Sequence, residues 1–370
     1  MDTTDIEKQI KNIEDEIFNT QKNKATEHHI GKLKAKLAKL KGEVEKRKSS
    51  GTKGKGFALK KSGDATVGLI GFPSVGKSTL LNKITSAESR VGSYDFTTLD
   101  AIPGMLSYKG ANIQILDLPG LITGAAKGKG RGREILSAVR NVDLIVFILD
   151  IQNSGNLEIM VKELFNAGIR LNEKKPDVVV KKTVQGGIFV TSTVKLTHLD
   201  KELVKAISSE YVTNADIIVR EDITEDQLID ILIENRIYVP AFVVLNKIDL
   251  VSKDIVDIKV KNLKAQGWEL VTISASKNKG ISELKNLIFK RLDFIRVFMK
   301  PVGKKTDYNE PLILKKGNTV EDACRKIHRE FHDKFRYATV SGPSAKHDIQ
   351  KVGLDHNLMD KDILTIVLTK

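Results

Sequence analysis

Residues 71–79 read Gly71-Phe72-Pro73-Ser74-Val75-Gly76-Lys77-Ser78-Thr79, the form G-x-x-x-x-G-K-S. This pattern suits a triphosphate, whose dense charge needs many donors and a close backbone. Gly71 and Gly76 let the chain turn tightly with no Cβ in the way. The N–H groups of Val75, Gly76 and Lys77 can then point inward. Lys77 can reach the β- and γ-phosphates, and the Ser78 hydroxyl can ligate Mg²⁺. Ser74 and Thr79 complete the contact set.

Three further segments extend that chemistry. Ile113–Gly120 is an apolar run ending in D-x-x-G. Asp117 is placed to hold a magnesium shell through water, and the Gly120 N–H to meet a γ-phosphate. Asn246-Lys247-Ile248-Asp249 follows the apolar run Ala241–Leu245. Asp249 can accept two hydrogen bonds from guanine N1 and the 2-amino group, which adenine cannot offer. Lys247 would lie along the base, and Asn246 would brace the loops. In Val271–Ser276 the Ala275 N–H can meet guanine O6, flanked by Ser274 and Ser276. Between the first two motifs lies Tyr94-Asp95-Phe96-Thr97-Thr98-Leu99-Asp100. Thr97 or Thr98 could reach Mg²⁺ and the γ-phosphate only when GTP is present, as switch loops do. A kinase or ATPase using the cradle alone is a weaker reading, because Asn246 and Asp249 argue against it.

The elements around these motifs must position them. Thr66–Ile70 is a short apolar run, read as a buried strand, and Ser78–Ile84 opens a helix whose N-terminus favours anions. Val142–Asp150 reads as another buried strand. Each motif therefore follows a strand, in the order expected of a parallel sheet.

The cradle, the Phe-Thr-Thr-Leu segment, Asp-Leu-Pro-Gly-Leu-Ile and the run Gly124–Gly132 resemble the developmentally regulated GTP-binding proteins, among the Obg-related translation-associated GTPases. Lys346-His347 and Lys351–His356 are similar to the family's C-terminal TGS domain, a ubiquitin-like β-grasp. The resemblance implies an α/β fold: a doubly wound P-loop GTPase sheet with an N-terminal helical hairpin, an inserted α+β domain and a TGS β-grasp. It implies GTP hydrolysis to GDP with Mg²⁺. It favours Thr98 over Thr97 as the switch threonine, and places Lys77, Thr98 and Gly120 in catalysis. Potassium near the α/β-phosphates is used by related enzymes and held partly by a cradle asparagine. Ser74 stands in that position, which leaves potassium dependence open. After D-x-x-G many GTPases carry a water-orienting glutamine. Leu121 stands here, so intrinsic turnover is expected to be slow. Arg131 and Arg133 could supply charge in cis, but Gly-rich arginines are more often solvated. The resemblance also implies a ribosomal setting and, in eukaryotes, a dedicated protein partner.

Composition sets outer bounds. The 370 residues are 41% hydrophobic and 5% aromatic, enough for two or three cores. No run of 18 apolar residues suggests a membrane span. The polar, acidic N-terminus does not read as a secretory signal, so a cytoplasmic location is expected. A single cysteine, Cys324, excludes an intramolecular disulfide and reads as a core thiol. His328 and His332 read as surface or packing residues. Net charge is +14, with pI near 9.5. Residues 1–63 hold 16 Lys/Arg against 9 Asp/Glu, and residues 296–370 hold 15 against 10. The flanks, not the centre, would therefore meet a polyanion, with no DNA specificity expected.

Isoleucines and leucines at helical spacing predict a hairpin of helices over 2–22 and 27–48, with Thr26 as N-cap. The second helix carries Lys32, Lys34, Lys36, Lys39 and Lys41, and contact with RNA or the ribosome is expected there. The expected organisation is a basic hairpin (1–48), a basic linker (49–63), a GTPase domain (64–164 and 239–294), an insert (165–238) and a TGS-like domain (295–370). Within the insert, Val178–Val180 and Ile188–Val194 flank Gln185-Gly186-Gly187 and read as a β-hairpin. In the tail, Val320–His332 reads as one helix capped by Thr319. Two functions fit: a ribosome-associated GTPase, or a nucleotide-gated RNA-binding adaptor with negligible turnover.

Overall fold

The computed structural model describes residues 3–21, 23, 26–50, 62–85, 103–118, 139, 141–153 and 156–369. Its strands, in chain order, are β1 (Ala65–Ile70), β2 (Pro103–Tyr108), β3 (Ala111–Asp117), β4 (Leu144–Asp150), β5 (Ile169–Leu171), β6 (Val178–Lys182), β7 (Ile188–Ser192) and β8 (Ala215–Val219). They continue with β9 (Ile237–Val239), β10 (Ala241–Asn246), β11 (Leu270–Thr272), β12 (Phe294–Met299), β13 (Leu312–Lys315), β14 (Phe335–Ser341), β15 (Gln350–Val352) and β16 (Ile363–Leu368). The chain forms two compact units, one of residues up to 57 with Gly168–Tyr238, the other of Ala58–Ala167 with Val239–Lys370.

The second unit carries a six-stranded sheet in the order β11-β10-β4-β1-β3-β2. β1, β3, β4, β10 and β11 run parallel, and β2 is antiparallel to β3. Parallel strands buried on both faces need unbroken apolar runs, and β1, β4 and β10 supply them. The helix Lys77–Ile84 buries Leu80, Leu81 and Ile84 in the same core. A second, five-stranded sheet, β13-β12-β16-β14-β15, packs Val320, Ala323 and Cys324 of the helix Val320–Ile327 against Val297, Ala338, Val340 and Leu364. This is the expected β-grasp. The single predicted helix of 320–332 is two, Val320–Ile327 and Arg329–Asp333, parted at His328. His328 is extended, and its Nδ1 accepts from the Glu330 N–H at 3.3 Å, capping a new helix. Thr319 caps the first through a capping box with Asp322, as expected. Phe294 of β12 and Ile313 of β13 enter the core of the first sheet, and two ion pairs border that contact: Lys326 to Asp64 at 2.7 Å and Lys315 to Asp143 at 3.3 Å.

The first unit contains the helices Thr3–Asn19 and Glu27–Ser50, the three-stranded sheet β6-β8-β7, and the helices Lys201–Ser208 and Glu225–Ile233. The predicted hairpin of β6 and β7 does not form. β8 lies between them, antiparallel to β6 and parallel to β7. Its alternation explains why: Ala215, Ile217 and Val219 are buried, while Lys181, Lys182 and Thr191 suit edge strands. Asn214 closes the turn onto β8, accepting from the Gly187 N–H through its side chain and from the Thr183 N–H through its carbonyl. Thr26 stands at the N-cap position of the second helix, its carbonyl accepting from the Ile30 N–H, while its hydroxyl donates to the Gln21 carbonyl at 2.6 Å.

The basic face of that helix is also partly turned inward. Ala35 enters the core beside Leu203 and Ile207. Lys34 pairs with Glu225 at 2.6 Å, Lys39 donates to the Glu210 carbonyl at 2.7 Å, and Lys41 pairs with Glu14 at 2.7 Å. Lys32 and Lys36 are exposed, with no ion pair among the described residues. Of the five lysines, Lys34 is the one drawn into the fold; Lys39 stays exposed and Lys41 about half exposed beside their partners.

Candidate nucleotide site

The cradle joins the end of β1 to the helix Lys77–Ile84, and its backbone is strained where the motif demands it. Gly76 has φ +93°, and a Cβ there would lie 2.4 Å from Asn246 Nδ2. At Gly71 a Cβ would lie 2.5 Å from the Ile148 carbonyl. Ser74 adopts φ +64°, uncommon for a residue with a side chain. Val75 is buried and anchors the loop; Ser78 and Thr79 are exposed in the helix's first turn. Lys77 Nζ arches over the loop, donating to the Gly71 and Phe72 carbonyls at 2.9 and 3.0 Å. Burial lowers its pKa, and the nearby Asp117 opposes that shift.

Asp117 ends β3 beside Ser78, whose Oγ donates to Asp117 Oδ2 at 3.3 Å. Burial raises the Asp117 pKa, offset in part by the Lys77 ammonium and the Ser78 hydroxyl. Its other oxygen, Oδ1, is buried and has no hydrogen-bond partner among the described residues. A buried carboxylate oxygen needs a donor or a cation. A hydroxyl and a carboxylate side by side, with that acceptor unused, fit Mg²⁺ and its water shell. The remaining predicted residues on this side, Phe96, Thr97, Thr98 and Gly120, lie outside the described residues, as do Leu121, Arg131 and Arg133.

The base-reading loops leave the ends of β10 and β11. Asn246 is 2% exposed and joins three segments. Its Nδ2 donates to the Val75 carbonyl at 2.8 Å, and its Oδ1 accepts from the Ala275 N–H at 3.1 Å. The predicted brace is present. It also alters one expectation: the Ala275 N–H is directed to Asn246, so contact with guanine O6 would have to be shared with that bond. Lys247, at φ +64°, places its ammonium 2.8 Å from Asp150 Oδ2. Asp249 is held by the Ser274 hydroxyl and, at 3.8 Å, by Lys277, which together keep its pKa below the usual carboxylate range. Asp249 Oδ1 is buried and unpartnered among the described residues. Ser274 is fully buried, 3.1 Å from the exposed Ser276 hydroxyl. Sequence reasoning missed Asp150 and Lys277. An aspartate ending an apolar strand next to the strand that delivers Asn246 was the available signal for the first.

Comparison with known proteins follows the same division. A 50S ribosome-binding GTPase family model matches residues 66–182, a model for the C-terminal region of that domain (MMR_HSR1) matches 185–294, and a TGS domain model matches 295–368. A GTP-binding protein of Methanocaldococcus jannaschii is 52% identical over 370 residues, covering 100% of this chain and 94% of the relative. Developmentally-regulated G-protein 3 of Arabidopsis thaliana is 47% identical, covering 98% of each. Ribosome-interacting GTPase 1 of Saccharomyces cerevisiae is 45% identical, covering 99% of each. With the cradle, the D-x-x-G aspartate and the N-K-x-D loop gathered at one end of a P-loop sheet and a TGS domain behind them, the chain belongs to the developmentally regulated GTP-binding protein family of GTPases.

Proposed function

We propose that this GTPase binds GTP with Mg²⁺ through the residues described above and works on the ribosome, its nucleotide state changing contacts made by switch loops and basic flanks. The observation that carries the nucleotide assignment is the Oδ1 of Asp249, buried and without a partner among the described residues, beside an Oδ2 that lies 3.8 Å from Lys277. Guanine offers two adjacent donors, N1–H and the 2-amino group, to such a carboxylate; adenine offers an acceptor and no amino group there. On the phosphate side, Lys77 supplies positive charge, Ser78 and Asp117 would hold the metal, and Thr98 and Gly120 would meet the γ-phosphate. Mg²⁺, when bound, neutralises charge on the β- and γ-phosphate oxygens. Turnover in potassium against sodium at equal ionic strength tests whether a monovalent cation near Ser74 takes part.

Ribosome association is supported by the match to a ribosome-binding GTPase model and by the yeast relative's name. A cytoplasmic setting in translation follows from that reading. Among the described residues no helix is long and apolar enough to cross a membrane. Co-sedimentation with ribosomes, in GTP-analogue and GDP states and from about 50 to 300 mM salt, tests it. Binding is expected to fall steeply with salt and to depend on nucleotide. Lys32→Gln with Lys36→Gln is expected to flatten the salt slope more than Lys39→Gln with Lys41→Gln. Association indifferent to salt and nucleotide would overturn the reading. Single-turnover hydrolysis with and without ribosomes separates an active GTPase from a nucleotide-gated adaptor.

A further inference from the structure

We infer that Asp150, outside every motif above, is a positioning residue for base recognition, acting through Lys247. The inference rests on the guanine-binding reading and extends it. Asp150 is the last residue of β4, and the sheet register sets it opposite Asn246, the last residue of β10. The Ile151 N–H donates to the Asn246 carbonyl at 3.1 Å, so the two strand ends are joined just where the base loop begins. Both carboxylate oxygens are then used. Oδ1 accepts from the Gln152 N–H at 3.0 Å, within a turn that the Asn153 N–H closes onto the Asp150 carbonyl. Oδ2 accepts from Lys247 Nζ at 2.8 Å. The turn thus fixes the carboxylate, and the carboxylate fixes the ammonium.

This arrangement differs from an ordinary surface ion pair, which contributes little because two flexible side chains must be ordered in water. The Asp150 side chain is 14% exposed and that of Lys247 32%. Lys247 also starts from a left-handed backbone, φ +64°, that directs its stem across the loop. A free lysine stem keeps many rotamers; this one has its far end tied before any ligand arrives. Ordering already present in the free protein is not lost again on binding. The four-methylene stem is held as a rail beside the position that Asp249 assigns to guanine.

The test is a double-mutant cycle on the full chain, read with a fluorescent GDP. Asp150→Asn retains an acceptor for the Gln152 N–H but loses the charge that holds Lys247. It is expected to weaken GDP about 5- to 20-fold, mainly through faster release. In a Lys247→Met background, which keeps an apolar stem and removes the ammonium, the same change is expected to cost less than about twofold. An unchanged affinity for Asp150→Asn, or an equal loss in both backgrounds, overturns the proposal. Asp150→Ala removes the turn's acceptor as well; should it fail to accumulate, the Asp150→Asn cycle decides alone. Wild-type discrimination between GDP and ADP keeps the two readings apart. Loss of that discrimination removes the guanine assignment, whereas intact discrimination with no coupling removes only the role of Asp150.

Discussion

Replacing Asn246 by alanine tests the central joint of the site. The side chain makes two bonds from a position 2% exposed, one to the Val75 carbonyl at 2.8 Å and one from the Ala275 N–H at 3.1 Å. Alanine leaves a buried carbonyl and a buried N–H unpaired, each worth about 1–3 kcal/mol. Water entering the vacated space recovers part of this, so the net loss is about 2–4 kcal/mol. The two groups belong to the phosphate cradle and the base loop, and nucleotide binding requires both in register. Carried into binding, that loss raises the dissociation constant for GDP roughly 30- to 1,000-fold. Titration with fluorescent GDP measures it, and calorimetry on the nucleotide-free protein reports any separate loss of stability. Asn246→Asp is the informative companion: it still accepts from Ala275 but sets a buried carboxylate oxygen against the Val75 carbonyl, so a loss at least as large as that of alanine is expected. A dissociation constant within about threefold of wild type for Asn246→Ala would refute the clamp.

Further outcomes follow from individual residues. Asp249→Asn should weaken GTP on the order of 100-fold and shift preference toward xanthosine triphosphate, whose 2-oxygen can accept from the amide; competition binding decides it. Ser78→Asn should impair magnesium-dependent nucleotide binding, measured by titration with and without chelator. Cys324 is fully buried, with its thiol pushed up to about 11 by burial, so alkylation at pH 8 should be slow in the native protein and fast in denaturant. The Arg296 guanidinium holds the Asp360 carboxyl below its ordinary value of 3.8. Its stabilisation of the β-grasp is therefore present above about pH 4 and is lost as pH falls through the depressed value. Asp360→Asn should lower stability at pH 7, and the difference from wild type should shrink as pH falls below about 4, measured by denaturant melts at each pH.

Motifs contiguous in the chain were legible, and contacts between distant segments were not. The cradle is nine consecutive residues whose geometry is local, so its glycines announce the turn. β1, β4 and β10 are unbroken apolar runs because both their faces are buried. β2 begins Pro103-Gly104 and lies at the sheet edge, so it shows neither signal. The insert misled because Gly186-Gly187 is a good local turn, while the choice of neighbour depended on how deeply β8 is buried. The partners of Lys34 and Lys39 were hidden for a related reason: they stand 191 and 171 residues away. Asp150 and Lys247 are 97 residues apart, and only the parallel register of β4 and β10 brings them together.

The attachment of the β-grasp has a structural consequence. Lys326 grips Asp64, just before β1 begins, and Lys315 grips Asp143, just before β4 begins. The cradle leaves the far end of β1, and Asp150 closes the far end of β4. The tail and the nucleotide loops thus attach at opposite ends of the same two strands, across six or seven residues, or about 20 Å. These strands lie at the centre of a parallel sheet, where a slip of one residue would expose one set of apolar side chains and bury another. The shortest covalent routes from the β-grasp contacts to the cradle and to Asp150 therefore run along β1 and β4, and no tail residue need touch the nucleotide.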